Sequence, residues 1–181
     1  MERFPAYTVQ INSYFSEINR PVMTSKLFIR SSFAVVICLI FGFMGTVATQ
    51  TGIANWYPSL QKPWFHIEED LFSSIWILMY VLMGVAAGIV WSKGFYHKWV
   101  KTALYHFGFQ LFLNGFWFLL FFALEKPLIA LLDLVVLFIV ILFTIRWFRI
   151  VSNTAAYLLI PYAVWVLFGI AFNFEIWRLN S

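Results

Sequence analysis

The segment HFGFQLFLNGFWF, residues 106–118, is apolar and aromatic except for His106, Gln110 and Asn114, which recur at steps of four. In a helix that spacing aligns them on one face, continued by Trp117 or Phe118. Asn114 lies 13 residues after Lys101 and 11 before Glu125, so a spanning helix would hold it near the middle of a bilayer. Hydrocarbon offers a carboxamide no partner, and an unsatisfied polar group there costs several kcal/mol. The stripe is therefore expected to face protein or an internal cavity. Two uses fit it: hydrogen bonds that hold helices together, or the polar wall of a ligand cavity.

Two other patterns carry polar or shaped groups into apolar sequence. Asp133, in IALLDLVVLF, falls at a depth close to that of Asn114 and Trp117. An aspartate at the centre of a span costs about 2.5–3.5 kcal/mol on insertion scales, so it too is expected to point inward. It would serve as a structural hydrogen-bond partner or as part of a proton or ion path. The lack of an intramembrane Lys or Arg to pair with it favours the structural role. Pro161, Trp165, Gly169 and Asn173 follow one another at intervals of four, again one helical face. An indole beside a glycine leaves a concave surface, suited to a flat ligand or to a neighbouring helix. The three histidines, His66, His97 and His106, show no metal-ligand spacing. These candidates contain no general acid–base pair and no nucleophile–base pair, so no catalytic residue and no metal ligand is assigned.

The elements that must position these groups follow from composition. Of 181 residues, 62% are hydrophobic, 22% aromatic and 11% charged, against about 25% charged in a soluble domain. A helix crosses a bilayer with about 20 apolar residues, and the expected spans are 29–50, 71–92, 100–124, 127–148 and 156–177. The fold class is thus all-α: a polytopic membrane protein, a compact bundle of five transmembrane helices. The first run is too long for the core of a cleaved signal peptide, which has about 7–15 residues. KGFYHKW, EKP and RIVSNTA are short turns that make neighbouring helices antiparallel, and only the connection 51–70 is long. Residues 1–28 form a polar N-terminal arm, and 29–180 the membrane domain. Phe4, Tyr7, Ile11, Tyr14, Phe15 and Ile18 fit one face of an interfacial helix; a poorly ordered tail is the other reading.

Charge sets direction and excludes one class of partner. Nine of the 12 basic residues (Arg3, Arg20, Lys26, Arg30, Lys93, Lys98, Lys101, Arg146, Arg149) fall on one side, with Lys62, Lys126 and Arg178 on the other. The positive-inside rule places the nine in the cytosol, so the N-terminus is expected inside, with the long loop and C-terminus outside. Although the formal charge is +4, the basic residues flank apolar runs and form no patch of the kind that binds nucleic acid. Cys38 is the single cysteine, so an intrachain disulfide is excluded.

Four segments, in order, resemble the translocator protein family, which includes the tryptophan-rich sensory proteins of bacteria and the peripheral benzodiazepine receptors of mitochondria. They are NWYPSLQKPW, QLFLNGFWFLLFF, ALLDLVVL and AAYLLIPYAVWVLFGIAFNFEIWRLN, and the likeness covers about residues 30–180. The chain departs from the family pattern at Phe65, at His66, at Phe118 in place of serine, and at Gly169 in place of alanine. It also lacks the tyrosine of the animal cholesterol motif in FNFEIWRLN.

The resemblance implies a five-helix bundle, often a homodimer, with a pocket beneath the first loop. Its ligands would be tetrapyrroles such as protoporphyrin and haem, bound as ligands rather than resident cofactors, or other flat hydrophobic molecules. Carried over by motif, the pocket residues are Trp56, Tyr57, Trp76, Gln110, Asn114, Trp117, Trp165 and Gly169. Lys62 and His66 stand where propionates would meet water, and Asp133 and Asn173 remain structural polar groups. Indole and phenyl faces suit an aromatic plate. The expected role is a receptor in porphyrin handling or stress sensing. The alternatives are a porphyrin or sterol transporter, and light-dependent porphyrin breakdown with Trp165 as electron donor. A bacterial cytoplasmic membrane fits the charge bias, with the mitochondrial outer membrane as the other setting.

Overall fold

A computed structural model describes residues 24–181; the candidate interfacial helix of the N-terminal arm lies outside the described residues. Among the described residues, six α-helices carry the five spans: α1 Thr24–Thr51, α2 Glu69–Ser92, α3 Lys98–Phe118, α4 Pro127–Val151, α5 Asn153–Leu158 and α6 Ile160–Asn180. Five segments are long and apolar enough to cross a membrane, the last made jointly by α5 and α6. The helices overrun the expected spans by a few residues, because hydropathy marks the hydrocarbon depth while the backbone stays helical into the interface.

Local chemistry explains the ends. Gly94 takes a left-handed φ of 108° in the α2–α3 turn, a conformation that costs glycine least. Pro127 opens α4 and Pro161 sits in the first turn of α6, where a missing N–H leaves no helical bond unmade. Ser152 is extended between α4 and α5, and its hydroxyl accepts from Ala155 N at 3.4 Å, a side-chain N-cap. A turn this short forces α4 and the fifth span to run antiparallel.

The helices close a ring. Helix α1 lies along α2, α2 along α5, α6 along α4, α4 along α3, and α3 returns to α1. The α1–α2 contact is the most extensive, and glycine lets the two backbones come close. A Cβ on Gly84 would strike the Cα of Val35, and one on Gly88 the Cα of Ser31. With two glycines one turn apart, the backbones approach as they do in small-xxx-small packings. Inside the ring, Met83, Val90, Phe121, Leu137, Ile141, Phe148 and Tyr162 are fully buried. Outside it, Phe28, Phe43, Tyr105, Leu132 and Val164 are exposed. An apolar exterior of this extent is unsuited to water and suited to lipid. The chain is a multi-pass membrane protein.

The long connection is itself ordered. It starts as a π-helical turn, Gly52–Trp56, and continues as a short 3-10 turn, Tyr57–Ser59. A second π turn, Leu119–Ala123, ends the third span directly beneath it. A Cβ on Gly52 would fall on the carbonyl oxygen of Phe122, so only glycine lets the two turns touch. Asn180, near the C-terminus, then binds the loop at both backbone polar atoms of one residue. Gln61 N donates to Asn180 Oδ1 (2.9 Å), and Asn180 Nδ2 donates to Gln61 O (3.0 Å).

Candidate functional site

Beneath the loop is a cavity of about 590 Å³, within the range of small-molecule sites, roughly 300–1,000 Å³. Four helices and the loop build it, the fourth being α6, which contributes Phe172. Leu39, Gly42 and Thr46 come from α1, Tyr57 and Ile67 from the loop, and Phe72, Trp76 and Tyr80 from α2. The end of the third span supplies Trp117, Phe118, Phe121 and Phe122. The π turn matters here: it follows Phe118 directly and carries Phe121 and Phe122 to the same wall as Trp117. Such turns are rare and recur at functional sites.

The walls are stacked aromatics. Trp76 lies 6.2 Å from Trp117 with the rings 25° apart, and Trp117 stacks on Phe121 at 5.4 Å. Phe118 packs against Trp76 at 5.4 Å, and Tyr57 meets Phe122 edge-on at 5.6 Å. Gly42 leaves room for the Tyr80 ring, which a Cβ would overlap. Each side chain is held by the next, so the cavity is shaped before any ligand enters.

The stripe at 110, 114 and 117 does face inward: Gln110 is 0%, Asn114 1% and Trp117 4% exposed. Of these three, Trp117 lines the cavity and the two carboxamides lie deeper. Tyr80 donates its hydroxyl to Asn114 Oδ1, and Asn114 Nδ2 donates to Tyr162 Oη at 3.0 Å. One asparagine thus ties α2, α3 and α6, and reaches the cavity through Tyr80. Gln110 Nε2 sits 4.0 Å from Met83 Sδ, and Gln110 Oε1 has no hydrogen-bond partner. His106 bonds the carbonyl of Thr102 and packs on Trp147 instead of continuing the stripe into the core.

The other expected residues divide similarly. Tyr57 and Trp76 line the cavity. Trp56 packs edge-on against Phe121 at 5.4 Å, behind the wall. Trp165 stands behind Trp76 (6.2 Å) and Phe72 (5.6 Å), and stacks on Phe168. Gly169 faces α4: a Cβ there would meet Leu134 Cδ1 at 3.8 Å. Lys62 lays its ammonium 4.2 Å from the Tyr57 ring centre, a cation–π contact at the rim. His66 Nδ1 lies 3.2 Å from the carbonyl of Pro63, next to the cavity-lining Ile67. Asn173 is fully buried, accepts from Trp117 Nε1 (3.1 Å) and donates to Pro127 O (2.7 Å). It therefore fixes the Trp117 ring from α6. Asp133 is 9% exposed, and its Oδ2 is a buried oxygen without a partner.

Sequence reasoning did not name Tyr80, Phe118, Phe121, Phe122 or the α1 wall as site residues. Tyr80 is one turn beyond Trp76 and was findable from that spacing. The α1 residues carry no such signal, since Leu39, Gly42 and Thr46 read as ordinary span residues. Among the described residues, no three His, Cys, Asp or Glu side chains gather where they could hold a metal.

Comparison with known proteins finds relatives along most of the chain. A family model described as TspO/MBR family matches residues 34–178. The tryptophan-rich protein TspO of Archaeoglobus fulgidus is 37% identical over 149 residues, covering 82% of this chain and 95% of the relative. The translocator protein of Ovis aries is 34% identical over 141 residues, 77% of this chain and 83% of the relative. The tryptophan-rich sensory protein of Cereibacter sphaeroides is 30% identical over 126 residues, 70% and 77% of the two chains.

Proposed function

The chain belongs to the TspO/MBR family, and from that premise we propose that it is an integral membrane receptor for flat hydrophobic ligands of the tetrapyrrole class, protoporphyrin and haem among them. The observation that carries the reading is the preformed cavity of about 590 Å³ whose walls are Trp76, Trp117, Phe118, Phe121, Phe122 and Tyr57. A porphyrin is a broad aromatic plate, and offset or edge contacts with indole and phenyl rings contribute about 0.5–1.5 kcal/mol each beyond area burial. The apolar body would lie against α2 and α3 under the loop. Its propionates would point to the rim, where Lys62 and His66 stand beside Tyr57 and Ile67. In this reading Asn114 and Asn173 act on the ligand indirectly, by fixing Tyr80 and Trp117. Trp165 and Trp56 back the wall. The N-terminus and the basic turns face the cytosol.

The test is a titration of the protein in nanodiscs with protoporphyrin, read by quenching of its tryptophans. Saturable binding near one ligand per chain is expected. Ser73 lines the cavity and is exposed at its mouth, so Ser73→Trp should weaken binding at least about ten-fold by occupying the entrance. Binding that is absent, or is untouched by Ser73→Trp, would refute the assignment. Protein-dependent porphyrin flux across sealed vesicles would move the role from receptor to transporter. Light-dependent loss of bound porphyrin that stops in Trp165→Phe would move it to photochemical breakdown.

A further inference from the structure

A second hollow lies elsewhere, on the membrane-facing surface between α1 and α3, in the half of the bundle that carries the α2–α3 turn. It encloses about 280 Å³ and is lined by Ala34, Ile37, Ala87, Trp91, Phe107 and Gly108, with others. Small residues create it. A Cβ on Gly108 would meet nothing within 4 Å, so the space beside α3 is left unfilled by the protein. Ile37 and Gly108 are exposed at its mouth, whereas Ala34, Ala87 and Phe107 are buried at its back. Its walls are hydrocarbon and aromatic, and its mouth lies on the apolar outer surface, a shape and chemistry suited to an acyl chain.

Charge says which lipid. Arg30 precedes Ala34 by one turn of α1, and Lys101 precedes Leu104, another lining residue, by nearly one turn of α3. Both therefore lie at the polar end of the hollow. Arg30 donates to the carbonyl of Trp91 at 2.7 Å and rests 5.5 Å from its ring centre, which pins the guanidinium to the groove wall. That bond uses one of its five donors. Lys101 is exposed, with its ammonium 5.9 Å from the Phe95 ring. Lys98, Arg146 and Arg149 belong to the same end of the bundle. Among the described side chains, the carboxylates are Glu68, Asp70, Glu125, Asp133 and Glu175, all mid-span or toward the opposite end. Among the described residues, no carboxylate stands at this end to offset the positive charge, and basic pockets between transmembrane helices take anionic headgroups.

We propose that the α1–α3 groove is a binding site for one anionic phospholipid, its acyl chain in the hollow beside Gly108 and its phosphate between Arg30 and Lys101. The site is separate from the loop-covered cavity and does not depend on what that cavity binds.

The experiment is native mass spectrometry of the full chain released from detergent, titrated with phosphatidylglycerol or phosphatidylcholine of matched chains. One tightly held phosphatidylglycerol is expected, preferred over phosphatidylcholine. Lys101→Gln and Arg30→Gln should each reduce that preference about five-fold. Gly108→Leu, which fills the hollow without a clash, should remove the tight lipid while protoporphyrin titration stays unchanged. Should that variant fail to fold, Ile37→Trp fills the hollow from the α1 side. Equal binding of the two lipids, or a tight phosphatidylglycerol that survives both filling variants, would overturn the proposal. A filling variant that changes the oligomeric state and leaves lipid binding intact would overturn it in favour of a contact between copies of the chain.

Discussion

Replacing Asn114 with leucine tests whether the buried carboxamide is a brace or a ligand contact. The structure gives it two bonds, one from Tyr80 on α2 and one to Tyr162 on α6. Interhelical hydrogen bonds in membranes are worth about 0.6 kcal/mol on average and about 1.7 at most. Losing both should therefore destabilise the bundle by about 1–3 kcal/mol. The cavity feels the change because Tyr80 lines it and packs 5.7 Å from Trp76. Released from Asn114, that ring can turn into the space a ligand needs, so porphyrin affinity should fall by a factor of about five, roughly 1 kcal/mol. The assay is a double-mutant cycle with Tyr80→Phe, reading unfolding of detergent-solubilised protein in increasing dodecyl sulfate. Removing the Tyr80 hydroxyl should make the Asn114 change less costly, because the Tyr80 donor is then no longer left orphaned. A coupling below about 0.3 kcal/mol, the level of independent sites, would refute the bond. Wild-type affinity in Asn114→Leu would refute the route through Tyr80.

The other predictions concern the loop and the helix contacts. Asn180→Ala removes both bonds to Gln61 and should raise porphyrin release several-fold with little change in helix content; stopped-flow fluorescence returning the wild-type rate would exclude Asn180 as a latch. Gly52→Ala drives a methyl onto the Phe122 carbonyl, so the two π turns must separate at a cost on the order of 3 kcal/mol, visible as a lower thermal midpoint and lost binding. An unaltered midpoint would contradict that contact. Gly88→Val should part α1 from α2 at Ser31 and lower the unfolding midpoint in dodecyl sulfate, whereas a substitution at Gly108 should not.

Sequence alone determined the membrane setting and the inward direction of the polar stripe. Those follow from properties each residue carries wherever it sits: hydrocarbon solvates neither peptide groups nor carboxamides, so apolar runs must be helices and Gln110, Asn114 and Asp133 must turn away from lipid. The order of the four motif segments likewise identified the family. Periodicity, however, reports the direction of a side chain about its own helix axis and says nothing of the neighbour it meets. Gln61 and Asn180 are separated by 119 residues, and nothing local to either announces their pairing. The α1 wall, the placement of Phe121 and Phe122 by a π turn, and the withdrawal of Asn114 behind Tyr80 arise only in the assembled bundle. Tertiary packing decided which inward residues enclose space and which fill it, because a cavity belongs to the distances between helices and to no helix by itself.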